Sequence, residues 1–101
     1  MGFSENHIKK FKKKKLSNGI RVIAIPMPAS LTTTVLVLTE TGSKYETKKI
    51  SGISHFLEHM CFKGTERRPT AQTISRELDG LGARYNAFTS HEYTGYWAKA
   101  E

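Results

Sequence analysis

Within five consecutive residues, His55-Phe56-Leu57-Glu58-His59, the chain places two imidazoles and one carboxylate. On an α-helix, residues three and four apart are surface neighbours, so His55 would lie beside both Glu58 and His59. Two neutral imidazoles at that spacing can hold a zinc ion, and a carboxylate beside them can take a proton from a water on the metal. The spacing therefore points to metal-assisted hydrolysis, with His55 and His59 as ligands and Glu58 as general base. A plainer arrangement fits the same residues. An amphipathic helix with Ile53, Phe56, Leu57, Met60 and Phe62 on a core face would carry His55, Glu58 and His59 on its polar face without any metal.

The elements that must position this segment can be read from pattern and punctuation. The His-bearing helix should run from near Ser51 to Lys63, with Gly64 free to take the left-handed cap conformation. Pro69-Thr70 opens a second helix, in which Thr70 is the N-cap and Ala71, Ile74, Leu78 and Leu81 form a buried stripe; Gly80 and Gly82 end it. Ahead of these, Leu16 to Ile25 reads as a hairpin around the favoured Asn18-Gly19 turn, stopped by Pro26 and Pro28. Thr32 to Thr39, with Val35-Leu36-Val37-Leu38 at its centre, reads as a strand buried on both faces, and Gly42 begins the loop after it. Arg84 to Thr89 and Tyr93 to Ala100 form an antiparallel pair joined around Ser90-His91-Glu92, with Tyr85, Phe88, Tyr93, Tyr96 and Trp97 as sheet packing. This order gives an α+β fold, with helices packed on one face of a largely antiparallel sheet.

At 101 residues the chain has room for one domain with a modest core. The net charge of +7 is concentrated in Lys9, Lys10 and Lys12 to Lys15. That run is expected to be a solvated strand or tail, because no basic-aromatic repeat follows to build a nucleic-acid surface. No apolar run approaches a membrane span. Met1 to Lys15 lacks the apolar stretch of a secretory signal, uses Lys where a mitochondrial presequence uses Arg, and has Asn6 where myristoylation wants Ser or Thr. A cytoplasmic protein is expected. Cys61 is the sole cysteine, so no internal disulfide can form, and it is expected to be a small buried apolar residue and not a ligand. His7 and His91 are expected to be exposed polar residues.

Gly52-Ile53-Ser54-His55-Phe56-Leu57-Glu58-His59-Met60-Cys61-Phe62-Lys63-Gly64-Thr65 closely resembles the signature of the pitrilysin family of zinc peptidases, which includes insulin-degrading enzyme and the mitochondrial processing peptidase. These are inverzincins, in which H-x-x-E-H reverses the commoner H-E-x-x-H. Asp79-Gly80-Leu81-Gly82-Ala83-Arg84-Tyr85-Asn86-Ala87-Phe88-Thr89-Ser90 looks like the family's second block, and Gly42-Ser43-Lys44-Tyr45-Glu46 resembles its approach to the first. The likeness runs from about Leu16 to Glu101, and Phe62-Lys63-Gly64-Thr65 leans toward the processing-peptidase branch.

The resemblance implies a zinc-dependent endopeptidase with one zinc per site, of which this chain resembles the N-terminal part. Residues 1–15 would be a Lys-rich leading segment and residues 16–101 an incomplete peptidase domain. Asn86 and Ala87 would lie along the cleft edge, where the strand pairs its backbone with an extended peptide substrate. A local hydrogen bond is the plainer role for Asn86. The family's third zinc ligand is a Glu beyond residue 101. None of Glu66, Glu77, Glu92 and Glu101 occupies its position, although Glu77 on the second helix could approach the metal. The remaining chain or a partner subunit would close the chamber, and the 101 residues alone would be inactive. The alternative from a different class is a non-catalytic structural or peptide-binding subunit whose Lys-rich start contacts an acidic partner; intact H-x-x-E-H favours the peptidase.

Overall fold

Asn18-Gly19 reverses the chain as expected: Gly19 sits at φ 90°, and Asn18 Oδ1 accepts a hydrogen bond from the Ile20 amide at 3.1 Å. The computed structural model describes residues 11–101 and divides the chain into two compact units meeting at Leu31 and Thr32. His7, Lys9 and Lys10, and most of the N-terminal segment, lie outside the described residues.

In the first unit, strand β1 (Lys12–Lys15) pairs antiparallel with β2 (Arg21–Ala24), Lys12 opposite Ala24 and Lys15 opposite Arg21. The hairpin therefore begins earlier than the expected Leu16, and the lysine run is itself its first strand. Lysine has little strand preference of its own; the Asn-Gly turn sets the pairing and imposes β structure on what precedes it. The expected division after residue 15 falls between β1 and its own turn. All four lysines are exposed, as a solvated strand requires.

The second unit contains strand β3 (Thr33–Thr39), two short 3₁₀ turns at Ser43–Tyr45 and Lys48–Ile50, helix α1 (Ile53–Met60), helix α2 (Ala71–Gly80), strand β4 (Arg84–Thr89) and strand β5 (Thr94–Ala100). Its sheet has the order β3-β5-β4 and is antiparallel throughout, with Val37 and Ala87 both opposite Tyr96. Both helices pack against β4, which confirms the α+β class. Along β4 the half-buried residues are Tyr85, Ala87 and Thr89, alternating with exposed Arg84, Asn86 and Phe88, so one face of the strand is covered. Thr70 caps α2 as expected, its hydroxyl accepting from the Thr73 amide at 3.1 Å.

Three packing expectations are corrected. Val35 to Leu38 are not buried on either face: Leu36, at 50%, is the least exposed of the four and Val35, at 62%, the most. Apolar character on both faces sets a strand's potential to be covered, and nothing among the described residues covers it. In α1, Ile53, Phe56, Leu57 and Met60 are likewise exposed, whereas Ser54 and Glu58 are half-buried, so among the described residues the polar side of the helix is the better covered. In α2, Ile74 and Leu78 are half-buried while Ala71 and Leu81 are exposed. The second unit's most buried side chain is Thr94, 1% exposed, which exchanges hydrogen bonds with the hydroxyl and carbonyl of Thr41 at 3.0 and 3.3 Å. Among the described residues no helix is long and apolar enough to cross a membrane.

Candidate metal centre

Helix α1 starts at Ile53 after Gly52, whose φ of 85° lies in the left-handed region that glycine enters without a steric penalty. Gly52 has no side chain to cap the helix. That task falls to Glu46, whose carboxylate accepts from the amides of Gly52 at 2.7 Å and Ser54 at 2.9 Å. The Glu46 carboxyl is held below the usual carboxylate range, first by a side-chain hydrogen bond from Ser54 and then by these two backbone bonds. The helix ends at Met60, before the expected Lys63, and Gly64 serves another purpose than a cap: a Cβ there would stand 2.5 Å from the Pro69 carbonyl oxygen.

With α1 in place, His55, Glu58 and His59 each present one donor atom, and all three atoms lie within 4.8 Å of one another. The two imidazole centroids are 4.6 Å apart at 80°, and His59 Nδ1 stands 3.5 Å from Glu58 Oε1. Tetrahedral zinc with bonds of about 2.1 Å holds its donors about 3.4 Å apart. The spread of up to 4.8 Å is of that order, so the two imidazoles suit such an ion as ligands, with the Glu58 carboxylate beside them as the proton acceptor. Glu58 is the sheltered member, with a side chain 13% exposed against 62% for His59. Thr89 on β4 donates from its hydroxyl to Glu58 Oε2 at 3.3 Å.

Beside the trio lies an open cavity of about 310 Å³ lined by Glu58, His59, Phe62, Lys63, Tyr85 and Asn86. Phe62 stacks on Tyr85 with centroids 6.4 Å apart and lies 6.5 Å from Tyr96. Pattern places Phe62 in a core and Tyr85 in sheet packing; in the structure both form the cleft wall. Thr89, Tyr85 and Glu46 join the site although sequence spacing alone does not mark them. Tyr85 and Thr89 share a strand face with Ala87 by the two-residue period, which would have pointed to them once the covered face was known.

β4 is an edge strand of its sheet, so the side of Asn86 and Ala87 away from β5 is open among the described residues. Asn86 Oδ1 accepts from the Ala87 amide at 2.8 Å. Glu77 forms a two-bonded ion pair with Arg68 and is not part of the trio, and Glu92 pairs with Lys44 at 3.5 Å. Cys61 is exposed, contrary to the expected burial, because the end of α1 is not covered among the described residues; its thiol donates to Tyr96 Oη at 3.6 Å. Burial, then that thiol contact and the Glu58 charge, push the Tyr96 phenol up to about 12. His91 Nδ1 meets Ser43 Oγ at 2.5 Å. Among the described residues His55, Glu58 and His59 are the one group of this kind able to hold a metal.

The family description "Insulinase (Peptidase family M16)" matches residues 21–101. An uncharacterized zinc protease of Rickettsia felis is 46% identical over 89 residues, covering 88% of this chain and 21% of that protein. The mitochondrial-processing peptidase subunit beta of Dictyostelium discoideum is 50% identical over 84 residues, 83% of this chain and 18% of that one. In structure, a protease from Helicobacter pylori superposes with a TM-score of 0.86 at 32% identity, over 91% of this chain and 22% of that one. The chain thus spans about a fifth of the length of the curated relatives it matches.

Proposed function

The chain belongs to the insulinase family, peptidase family M16, whose members are zinc metallopeptidases, and from that premise we propose that it carries the zinc-binding pair and the general base of an endopeptidase that cleaves extended peptides. The observation that carries the reading is the convergence of His55, Glu58 and His59 at the mouth of a cleft beside the open edge of β4. His55 and His59 would hold one zinc ion. When bound, zinc supplies Lewis acidity that acidifies a coordinated water and polarises a peptide carbonyl.

Glu58 takes the proton from the attacking water and later delivers it to the departing amine. Its shelter between α1 and β4 keeps bulk water from competing for that proton, and the Thr89 hydroxyl fixes one carboxylate oxygen so that the other faces the imidazoles. The β4 edge at Asn86 and Ala87 aligns the substrate by strand addition, which reads backbone more than side chains. An incoming strand first displaces the Asn86 amide from the Ala87 N–H, so the local bond and the substrate role belong to one exchange. The remaining sequence of the longer peptidase supplies a third ligand, since Glu77 and Glu92 are engaged in ion pairs. That sequence or a partner subunit completes the chamber. The stretch described here would be inactive alone, because two ligands hold zinc weakly.

The test is peptide cleavage by the zinc-loaded, full-length peptidase and by its Glu58→Gln variant, with zinc per chain measured in both. Zinc retained with cleavage lost supports the assignment; equal cleavage by the two proteins eliminates it.

A further inference from the structure

Helix α1 has only eight residues, and a helix this short is marginal unless its ends are held. His55 lies in its first turn, the part that frays, while His59 lies in the second. Gly52 offers no capping side chain, and no acidic residue stands in the first turn. Among the described residues the Glu46 carboxylate is the group that meets this end, its two oxygens holding the amides of Gly52 and Ser54 on either side of Ile53.

Glu46 is itself anchored. Its amide donates to the Ser43 carbonyl at 3.2 Å, and the Lys44 amide donates to the His91 carbonyl at 2.9 Å. Gly42 lies so close to Ser90 that a Cβ would clash with the Ser90 carbonyl oxygen. The brace therefore runs from the β4–β5 turn through the first 3₁₀ turn to the start of α1, while Thr89, next to Ser90, holds Glu58 from the sheet side. The helix is tied to one strand pair at both points.

We propose that Glu46 is a positioning residue for the metal centre, fixing His55 relative to His59 by clamping the first turn of α1. The inference rests on the metallopeptidase reading above. Without the clamp, His55 must be ordered at the moment of metal binding, and the affinity falls by that cost.

Cobalt(II) titration of the purified full-length peptidase, followed by the visible absorption of the bound ion, tests this. Glu46→Ala should weaken cobalt binding about 10-fold, the low end for residues that support ligands from outside the coordination sphere, and should alter the absorption band. It should also speed amide exchange at Ser54 and His55. Glu46→Gln keeps one carbonyl acceptor and should recover part of the affinity, which a general loss of folding would not allow. Thr70→Ala removes the cap of α2 instead and should leave cobalt affinity unchanged. Wild-type affinity in Glu46→Ala, or equal weakening by Thr70→Ala, overturns the positioning role while leaving the metal centre standing. Failure of the wild type to take cobalt, or undiminished affinity in His55→Ala, removes the metal centre and this role with it.

Discussion

Replacing Thr89 with Val removes one hydroxyl and keeps the shape of the side chain, so it isolates the hydrogen bond to Glu58. The bond spans 3.3 Å, longer than the usual range for a hydroxyl donor. A well-made bond to a charged group contributes about 1.5–3 kcal/mol; stretched to this length, its loss should cost about 1 kcal/mol. The Glu58 side chain is 13% exposed, so water replaces the lost donor only in part. If the bond aligns the carboxylate in the transition state, kcat/KM should fall about 5-fold. The assay is cleavage of a fluorogenic peptide by the zinc-loaded peptidase at substrate concentrations well below KM, with bound zinc measured in parallel. Zinc content should not change, because both imidazoles remain. Thr89→Ser keeps the donor and should stay within about 2-fold of wild type. Wild-type kcat/KM in Thr89→Val, or an equal fall in Thr89→Ser, would show that the contact does not align the base.

Other perturbations separate stability from chemistry. Thr70→Ala deletes the α2 cap and should lower stability by about 1 kcal/mol, seen as a fall of roughly 4–8 °C in Tm for a domain of this size. Glu46 and Glu77 both titrate below their ordinary value of 4.5, Glu46 chiefly through hydrogen bonds from Ser54 and Gly52 and Glu77 through its bond from Arg68. The stability they add is present above pH 4.5 and is lost as pH falls through their folded values, so denaturation midpoints should decline on the acid side of 4.5. The decline should flatten in a Glu46→Gln, Glu77→Gln double variant. Tyr96 gives the opposite limb: its folded pKa of about 12 exceeds the ordinary 10.0, so the folded state binds more protons between these values and stability should fall as pH rises through them. Phenolate absorbance should show a late transition that Tyr96→Phe abolishes.

What was legible in the sequence is what is local in the chain. The apolar and polar spacing of Ile53 to Met60 marks a helix before any partner is known, and Thr70 and Asn18-Gly19 act within four residues of themselves. That the lysine run is a solvated strand or tail was legible from its charge, but its pairing in the hairpin was not, because that is imposed by a turn that follows it and by partners with which it shares no pattern. Neighbours in sequence make Gly64 look like a helix cap; its real constraint is the Pro69 carbonyl packed against its Cα. Burial was the least legible property. Val35 to Leu38 and the apolar side of α1 carry every mark of a core, but a core needs a second surface, and residues 11–101 do not bring one to them.

The same distinction divides the site. His55, Glu58 and His59 sit on one stretch of helix, so their types and order were enough to name them, whereas the groups that hold them arrive from far along the chain. Thr89 is 31 residues from Glu58, and the brace behind Glu46 passes through His91. Ligand identity is therefore local and ligand placement is not. A variant can keep H-x-x-E-H intact and still lose metal affinity, if it loosens the β4–β5 turn against which both Glu46 and Thr89 are set.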